Sequence, residues 1–223
     1  MNLEPLSYFF GALLGDGNLW KHKTKNSRMT SIACADKDII TRCYFDVLHF
    51  FHDVRKGRLY ETPQSNEITY YRIVWTNYDF YDFCNLQTNG KRELPEYIWT
   101  ASKEAKLAML SGIMDTDGSI NNDYRLKLSG KDQFVAQSFE LFHDVGINTG
   151  KLLRQESTLN GKYYDSLFYF YASTLAAIEA GFYFRCRRKQ YRLEEFMTGR
   201  NISYVYPHDI ISDIERGGDP SKY

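Results

Sequence analysis

The sequence predicts an α+β chain built from two related halves, and three observations predict it. Phe9–Gly17 (FFGALLGDG) and Leu110–Gly118 (LSGIMDTDG) align without a gap, sharing glycine at the third position, aspartate at the eighth and glycine at the ninth. Lys37-Asp38 and Phe51-His52-Asp53-Val54 recur as Lys131-Asp132 and Phe142-His143-Asp144-Val145. Between these landmarks, apolar residues at helical spacing alternate with period-two stretches in the same order in both halves. Matched landmarks in matched order are the mark of an internal duplication.

The first helix follows residues 1–5, tolerates Pro5 in its first turn and runs to about Asp16. Gly17, and later Gly118, suit the left-handed position just past a helix C-terminus, where a Cβ is penalised. Gly11 and Gly15 stand four apart beside Ala12, and Ala108, Gly112 and Thr116 repeat that spacing, which lets two helix backbones approach closely. From Asn18 to Ala35 the pattern is a hairpin turning near Lys25-Asn26-Ser27. Trp20, His22 and Thr24 share one face opposite Leu19, and Arg28 and Thr30 are expected to continue that face on the return strand. Asp36-Lys37-Asp38 opens a helix with Ile40, Tyr44, Val47, Leu48 and Phe51 at helical spacing. Gly57–Glu61 and Tyr70–Thr76 read as strands around the loop Thr62–Glu67, with Tyr70 and Arg72 alternating with Tyr71, Ile73 and Trp75. A short helix, Asp79–Leu86, closes the half, and Asn89-Gly90 and Leu94-Pro95 punctuate the link.

The second half repeats the plan. Its motif helix spans about Lys103–Asp117, and Asn121-Asn122-Asp123 turns a hairpin. On the return strand Tyr124, Leu126 and Leu128 face the core, while Arg125, Lys127 and Ser129 face away. Gly130-Lys131-Asp132 leads into a helix ending in Phe142–Val145. Lys151–Thr158 and Tyr163–Tyr171 pair around Asn160-Gly161, a strong turn signal. Thr174–Ala180 is a short helix capped by Gly181, and Gln190–Met197 is a final amphipathic piece. The expected divisions are 1–98, 99–198 and a surface extension over 199–223 that contains Gly217-Gly218-Asp219-Pro220.

If the two motif helices pack in parallel, Asp16 and Asp117 meet at adjacent C-terminal ends. Two carboxylates there repel, and each sits at the negative end of a helix dipole. The unpaired carbonyls of Gly15 and Thr116 add further negative charge. A divalent cation relieves all three, since Mg²⁺ is often held by one or two carboxylates with water and substrate phosphate completing its shell. Asp16, Asp117, Gly15 and Thr116 are therefore the candidate donors for Mg²⁺ or Mn²⁺ in a phosphodiester-cleaving site. The DTDGSI segment imitates a calcium loop, but Ile113 and Tyr124 stand where its first ligand and closing glutamate belong, which excludes an EF-hand.

At 223 residues and 43% apolar, the chain can bury a substantial core as one large or two small domains. Cys34, Cys43, Cys84 and Cys186 form no CxxC pair and read as reduced core residues of an intracellular, soluble protein; no run of membrane-spanning length appears. The formal net charge is zero, yet basic residues cluster at Lys21–Arg28, Arg55–Arg58, Lys91–Arg92 and Arg185–Arg192, so distribution outweighs the sum. His49 and His52, three apart on a helix, lack a third ligand and read as solvated helix residues, and no GxSxG elbow or phosphate-binding glycine loop is present.

Both nine-residue stretches resemble the motif of the LAGLIDADG homing endonucleases, the second closely, the first departing at Leu14 and Gly15 in the sixth and seventh places. The resemblance covers about residues 5–197. It implies a single-chain pseudo-dimer of two αββαββα halves, with saddle-shaped antiparallel sheets and the motif helices packed at the interface. The family's metal-binding acid carries over to Asp16 and Asp117, with two or more Mg²⁺ or Mn²⁺ ions shared between them. Asp115, whose counterpart is Leu14, is not expected to be required. Lys37 and Lys131 stand within about one position of the family's basic residue beyond the second strand, and are expected as further catalytic groups acting on phosphate charge or water.

The implied activity is site-specific, metal-dependent double-strand cleavage by a monomer, leaving staggered ends. Double-stranded DNA is the implied partner, with the sheets in successive major grooves. The expected contacts are Trp20, His22, Thr24, Lys25, Arg28, Thr30, Arg58, Tyr70 and Arg72 from the first half. Asn121, Arg125, Lys127, Lys151, Arg154 and Gln155 supply the second. A catalytically silent nucleic-acid-binding protein on the same fold, an RNA maturase or a transcription regulator, is the alternative; two converging acids favour the enzyme. A self-splicing intein is not expected, because the chain starts with Met1 and ends with Tyr223 rather than with Cys or Ser and His-Asn.

Overall fold

The computed structural model describes residues 2–24, 27–51, 54, 57–63, 69–130, 133–159 and 162–199, the side chains of 155–159, 162–167 and 199 excepted. The chain divides into two units, 1–193 and 194–223. In the first unit the motif helices α1 (Glu4–Asp16) and α4 (Lys103–Thr116) run side by side. Ser7–Leu14 of α1 and Ala108–Asp115 of α4 are buried without a break, as in helices covered on every side. The contact is backbone to backbone: a Cβ on Gly11 would fall on the Met109 carbonyl, and one on Gly112 would fall on the Tyr8 carbonyl.

After α1 come β1 (Gly17–Lys21), β2 (Arg28–Cys34), α2 (Lys37–Phe50), β3 (Arg58–Pro63), β4 (Thr69–Trp75) and α3 (Tyr78–Gln87). After α4 the same succession follows as β5 (Ser119–Ile120), β6 (Leu126–Gly130), α5 (Gln133–Asp144), β7 (Leu153–Leu159), β8 (Lys162–Ala172) and α6 (Thr174–Ala180). The last helix among the described residues is α7 (Arg187–Gly199), and the second unit's described part is its residues 194–199. Each half forms a four-stranded antiparallel sheet in the same order, β1-β2-β4-β3 and β5-β6-β8-β7. A 3₁₀ turn, Glu96–Thr100, stands between the halves and lies outside the sequence expectation.

Each sheet has one apolar face toward the helices. In the first it carries Leu19, Ile32, Ile73 and Trp75; in the second, Ile120, Leu126, Leu128, Phe170 and Ala172. All four cysteines are buried and unpaired. Gly181 caps α6 at φ +91, as its position predicts. Gly17 and Gly118 do not follow that rule. Gly17 is extended (φ −78, ψ 164), and neither has positive φ. Both are glycine for space instead: a Cβ would stand 2.7 Å from the Leu13 Cα in one case and 2.6 Å from the Met114 Cα in the other.

One face assignment is also corrected. Leu19 pairs with Thr30 and Lys21 with Arg28, so Arg28 and Thr30 share the Leu19 face, toward the helices, and not the Trp20 face. Thr30 is fully buried opposite Trp75. Arg28 pairs with Asp82 of α3 and lies over the rings of Tyr78 and Tyr81, tying β2 to α3. His22 and Thr24 lie beyond β1, the Thr24 N–H donating to the His22 Nδ1 at 3.1 Å.

Candidate active site

The site is built where the two motif helices end. A Cβ on Gly15 would overlap the Thr116 hydroxyl and stand 3.3 Å from the Asp117 carboxyl carbon, so the two ends adjoin. Thr116 is held there by its own hydroxyl, which donates to the carbonyls of Gly112 at 2.9 Å and Ile113 at 3.0 Å. Asp16 is the last residue of α1, half-buried, while Asp117 follows α4 and is exposed. Burial pushes the Asp16 carboxyl above the usual carboxylate range, and the nearby charges of Lys189 and Lys91 oppose that shift.

Those two lysines are absent from the sequence expectation. The Lys91 ammonium donates to the carbonyl of Gly15 at 3.0 Å and to that of Gly17. Lys189 does the same for the second helix, donating to the carbonyls of Asp115 at 2.6 Å, Gly118 at 2.7 Å, Met114 at 2.8 Å and Thr116 at 3.4 Å. Each motif helix therefore ends on a cation that offsets its dipole. The exposed Lys37 ammonium pairs with Glu61 at 2.9 Å and stands 5.2 Å above the Tyr71 ring. Lys131 lies outside the described residues, as does Lys25. A signal for Lys91 and Lys189 was present, because both fall in noted basic clusters at nearly equal distances after the motif aspartates.

Asp115 is a structural hub. Its buried carboxylate accepts the Tyr8 hydroxyl at 2.9 Å and the backbone N–H groups of Arg185 and Cys186, both at 3.1 Å. These bonds fix the segment that delivers Lys189, and burial raises the carboxyl to about 6 in spite of them. Across the halves, Arg188 grips Asp36 through Nε at 3.1 Å and Nη2 at 3.0 Å, and the Arg187 N–H donates to Asp38 at 2.7 Å. Asp36, Asp38 and the Cys186 thiol lie together, but the acids are already committed to these partners. Arg188 thereby holds Asp36 below the usual carboxylate range. Beside the end of α4, Lys189, Arg188 and Arg192 line a hollow of about 500 Å³ with Thr116, Gly118 and Ser119.

The outer sheet faces carry cations interleaved with aromatic rings. On the first, Trp20, Arg58, Tyr60, Tyr70 and Arg72 share the side away from the helices, and Trp20 and Tyr70 are exposed. On the second, Lys127 pairs with Tyr171 in register. Arg125 stands 4.8 Å from the Tyr171 ring, and Lys127 stands 5.6 Å from Tyr169. Asn121 is spent on the turn, accepting the Arg125 N–H at 2.7 Å. Lys151 is exposed just before β7. Arg154 pairs with Phe168 on the helix-facing parity of an edge strand, so it is not on the outer face; the Gln155 side chain lies outside the described residues. Among the described residues, no helix is long and apolar enough to cross a membrane.

No protein-family model matches the chain. A DNA polymerase of Thermococcus kodakarensis is 30% identical over 154 residues, 67% of this chain and 9% of the polymerase. The ribonucleoside-diphosphate reductase NrdEB subunit alpha of Bacillus subtilis is 25% identical over 138 residues, 56% of this chain and 12% of that protein. The chain thus matches only about a tenth of the length of either relative. Among solved structures, a variant of I-DmoI in complex with its target DNA and manganese aligns with 80% of this chain and 92% of its own, at a TM-score of 0.57 and 15% identity. I-DmoI in complex with DNA and calcium covers 97% of this chain and 100% of its own, at a TM-score of 0.54 and 12% identity. Paired motifs, paired sheets and touching motif helices on that shared architecture give this chain the LAGLIDADG homing-endonuclease fold in its single-chain, two-motif form.

Proposed function

We propose that this protein is a site-specific, divalent-metal-dependent endonuclease that cuts both strands of a long DNA site as a monomer and leaves staggered ends. One observation carries the reading: two motif acids stand at adjoining ends of helices whose backbones touch, each end held on a lysine. The donors left for a metal are the Asp16 and Asp117 carboxylates, hard oxygens that fit Mg²⁺ or Mn²⁺. The Gly15 and Thr116 carbonyls, expected to join them, accept from Lys91 and Lys189 instead. Burial raises the Asp16 carboxyl, and a cation bound beside it would favour the carboxylate form. An ion held by these residues supplies Lewis-acid stabilisation and an acidified water.

This chain's own groups do the rest. Lys91 and Lys189 place positive charge where phosphate charge builds. The hollow lined by Arg188, Lys189 and Arg192 is a seat for a backbone phosphate on one side of the helix ends. The cation-and-ring faces of the two sheets hold and read the duplex. DNA-bound neighbours with metal support the reading. So do the partial matches to a polymerase and a reductase, two enzymes of unrelated chemistry in each of which this chain matches about a tenth of the length.

The test uses cleavage-site selection from a random DNA library with Mg²⁺, with and without EDTA. Asp16→Asn and Asp117→Asn should each abolish double-strand cleavage while retaining most DNA affinity. Metal-independent cutting, or full cleavage by either variant, refutes the assignment.

A further inference from the structure

Arg185 is the group this mechanism leaves unexplained. Its side chain is 8% exposed, and its Nε and Nη1 atoms are buried without a hydrogen-bond partner. Its ion-pair neighbour Glu4 stands 3.8 Å from Nη2, beyond hydrogen-bond range. The guanidinium lies 4.6 Å from the Tyr8 ring and 5.8 Å from that of Tyr183, contacts that fix its position but satisfy none of its N–H donors. Buried donors without acceptors are rare, because each forfeits its hydration without return.

Arg185 lines a cleft of about 630 Å³ between α2 and the segment 183–187, in the size range of small-molecule sites. Lys37, Arg42 and Arg187 bring three more cations to it, against one acid. That acid, Asp38, already accepts the N–H groups of Ile39 at 3.1 Å and Arg187 at 2.7 Å. Lys37 and Arg42 each hold an acid, Glu61 and Asp46, both at 2.9 Å. Among the described residues the Arg187 guanidinium has no ion-pair partner. Two aromatic side chains complete the wall: Phe45 is 60% exposed and Tyr183 48%. None of these residues lies on the outer sheet faces or at the motif-helix ends.

We propose that this cleft binds a nucleoside phosphate, its phosphate on Arg185 and Arg187 and its base against Phe45 and Tyr183. An oxyanion in the cleft meets the Arg187 guanidinium and the Arg185 side chain on its wall, and guanidinium groups take phosphate with two parallel bonds. A bare anion leaves both rings uncovered, whereas a base covers them; rings beside cations are how single nucleotides are held without sequence readout. The ligand is either a free nucleotide or one nucleotide of a single strand.

The whole chain is titrated calorimetrically, without divalent metal, with inorganic phosphate, adenosine monophosphate and a short single-stranded oligo(dA). The mononucleotide should bind saturably and more tightly than phosphate. Phe45→Ala should weaken it about tenfold, the worth of one base stacked on a ring, and leave phosphate binding unchanged. Arg187→Glu, at an exposed position, should weaken both, and Arg185→Met should abolish both. If Arg185→Met fails to fold, the Arg187→Glu and Phe45→Ala pair decides. An oligonucleotide that binds more tightly than the mononucleotide, with the same weakening in Phe45→Ala, assigns the single strand; equal or weaker binding assigns the free nucleotide. No saturable binding of any probe overturns the site, as does mononucleotide binding indifferent to both surface variants. Equal affinity for phosphate and mononucleotide overturns the nucleoside. Retained DNA cleavage in Phe45→Ala separates this outcome from failure of the endonuclease reading.

Discussion

Alanine is the best helix former, and it should be the wrong residue at Gly11. In an exposed helix interior, glycine to alanine adds about 1 kcal/mol of stability. Here a Cβ would fall on the Met109 carbonyl, 2.9 Å from the Ile113 nitrogen and 3.0 Å from the Gly112 Cα. All three are backbone atoms of α4, which no rotamer change can move, so the helices must part. Overpacking of this kind costs roughly 1–3 kcal/mol and outweighs the propensity gain. Gly112→Ala meets the same difficulty from the other side, 2.8 Å from the Ala12 nitrogen. One separation relieves both clashes, so the double variant should cost less than the sum of the singles. Thermal melts should fall by roughly 2–12 °C for each single variant, at about 2–4 °C per kcal/mol for a chain of this size. Cleavage should fall further than folding, because the same movement parts Asp16 from Asp117. A raised melting temperature for Gly11→Ala, or strictly additive effects, refutes the touching-helix argument.

Lys91 and Lys189 both draw the raised Asp16 carboxyl downward, so Lys91→Met should raise it further. Because the ion needs the carboxylate form, metal binding is present above that carboxyl's titration and lost below it. The acid limb of Mn²⁺ binding should therefore move to higher pH in Lys91→Met; an unmoved limb rejects the coupling. Asp115, raised to about 6 from an ordinary value of 3.8, makes the folded state the better proton acceptor. Its contribution to stability is present below the ordinary value and lost as pH rises to about 6. Asp115→Asn should flatten that part of the stability–pH curve in denaturant melts. It should also cost about 1–3 kcal/mol at neutral pH, because an amide NH₂ then faces N–H and O–H donors. Arg125→Ala with Lys127→Ala should lower the slope of log affinity against log salt by about 2, one for each phosphate no longer neutralised. An unchanged slope places the duplex elsewhere.

What could be read in the sequence was whatever depends on neighbours along the chain. Small-residue spacing at Gly11, Gly15 and Gly112 located the helix contact, and Gly181 located a cap. Alternation sorted Tyr70 and Arg72 from Tyr71 and Ile73 correctly. The same alternation misplaced Arg28 and Thr30, because a period of two fixes faces within a strand but not across a turn. There a one-residue change of register exchanges every face. Gly17 and Gly118 were identified as special for the wrong reason, since crowding by the preceding turn leaves no trace in local pattern. Asp115 looked dispensable by motif comparison because its partners, Tyr8, Arg185 and Cys186, are remote in sequence.

Lys91 and Lys189 were missed for a deeper reason, because they reach equivalent places by different backbone routes. Lys189 sits in the first turn of α7, placed by the hydrogen bonds of Asp115 to the residues before it. Lys91 ends a run in which Asn89, Gly90 and Lys91 all have positive φ, at 44°, 67° and 71°. Side chains in that region cost roughly 1–2 kcal/mol per residue. The run is clamped by the Gly90 N–H on the Asn85 carbonyl at 3.0 Å, the Lys91 N–H on the Thr88 hydroxyl at 3.1 Å and the Arg92 N–H on the Thr88 carbonyl at 2.8 Å. Such strain persists only where surrounding structure over-determines it, and it gathers at working sites. Here its product is an ammonium on the Gly15 carbonyl. The two halves therefore agree in where charge is delivered and differ in the backbone that delivers it. Alignment of matched segments finds the acids, whose route is shared, and passes over the cations, whose route is not.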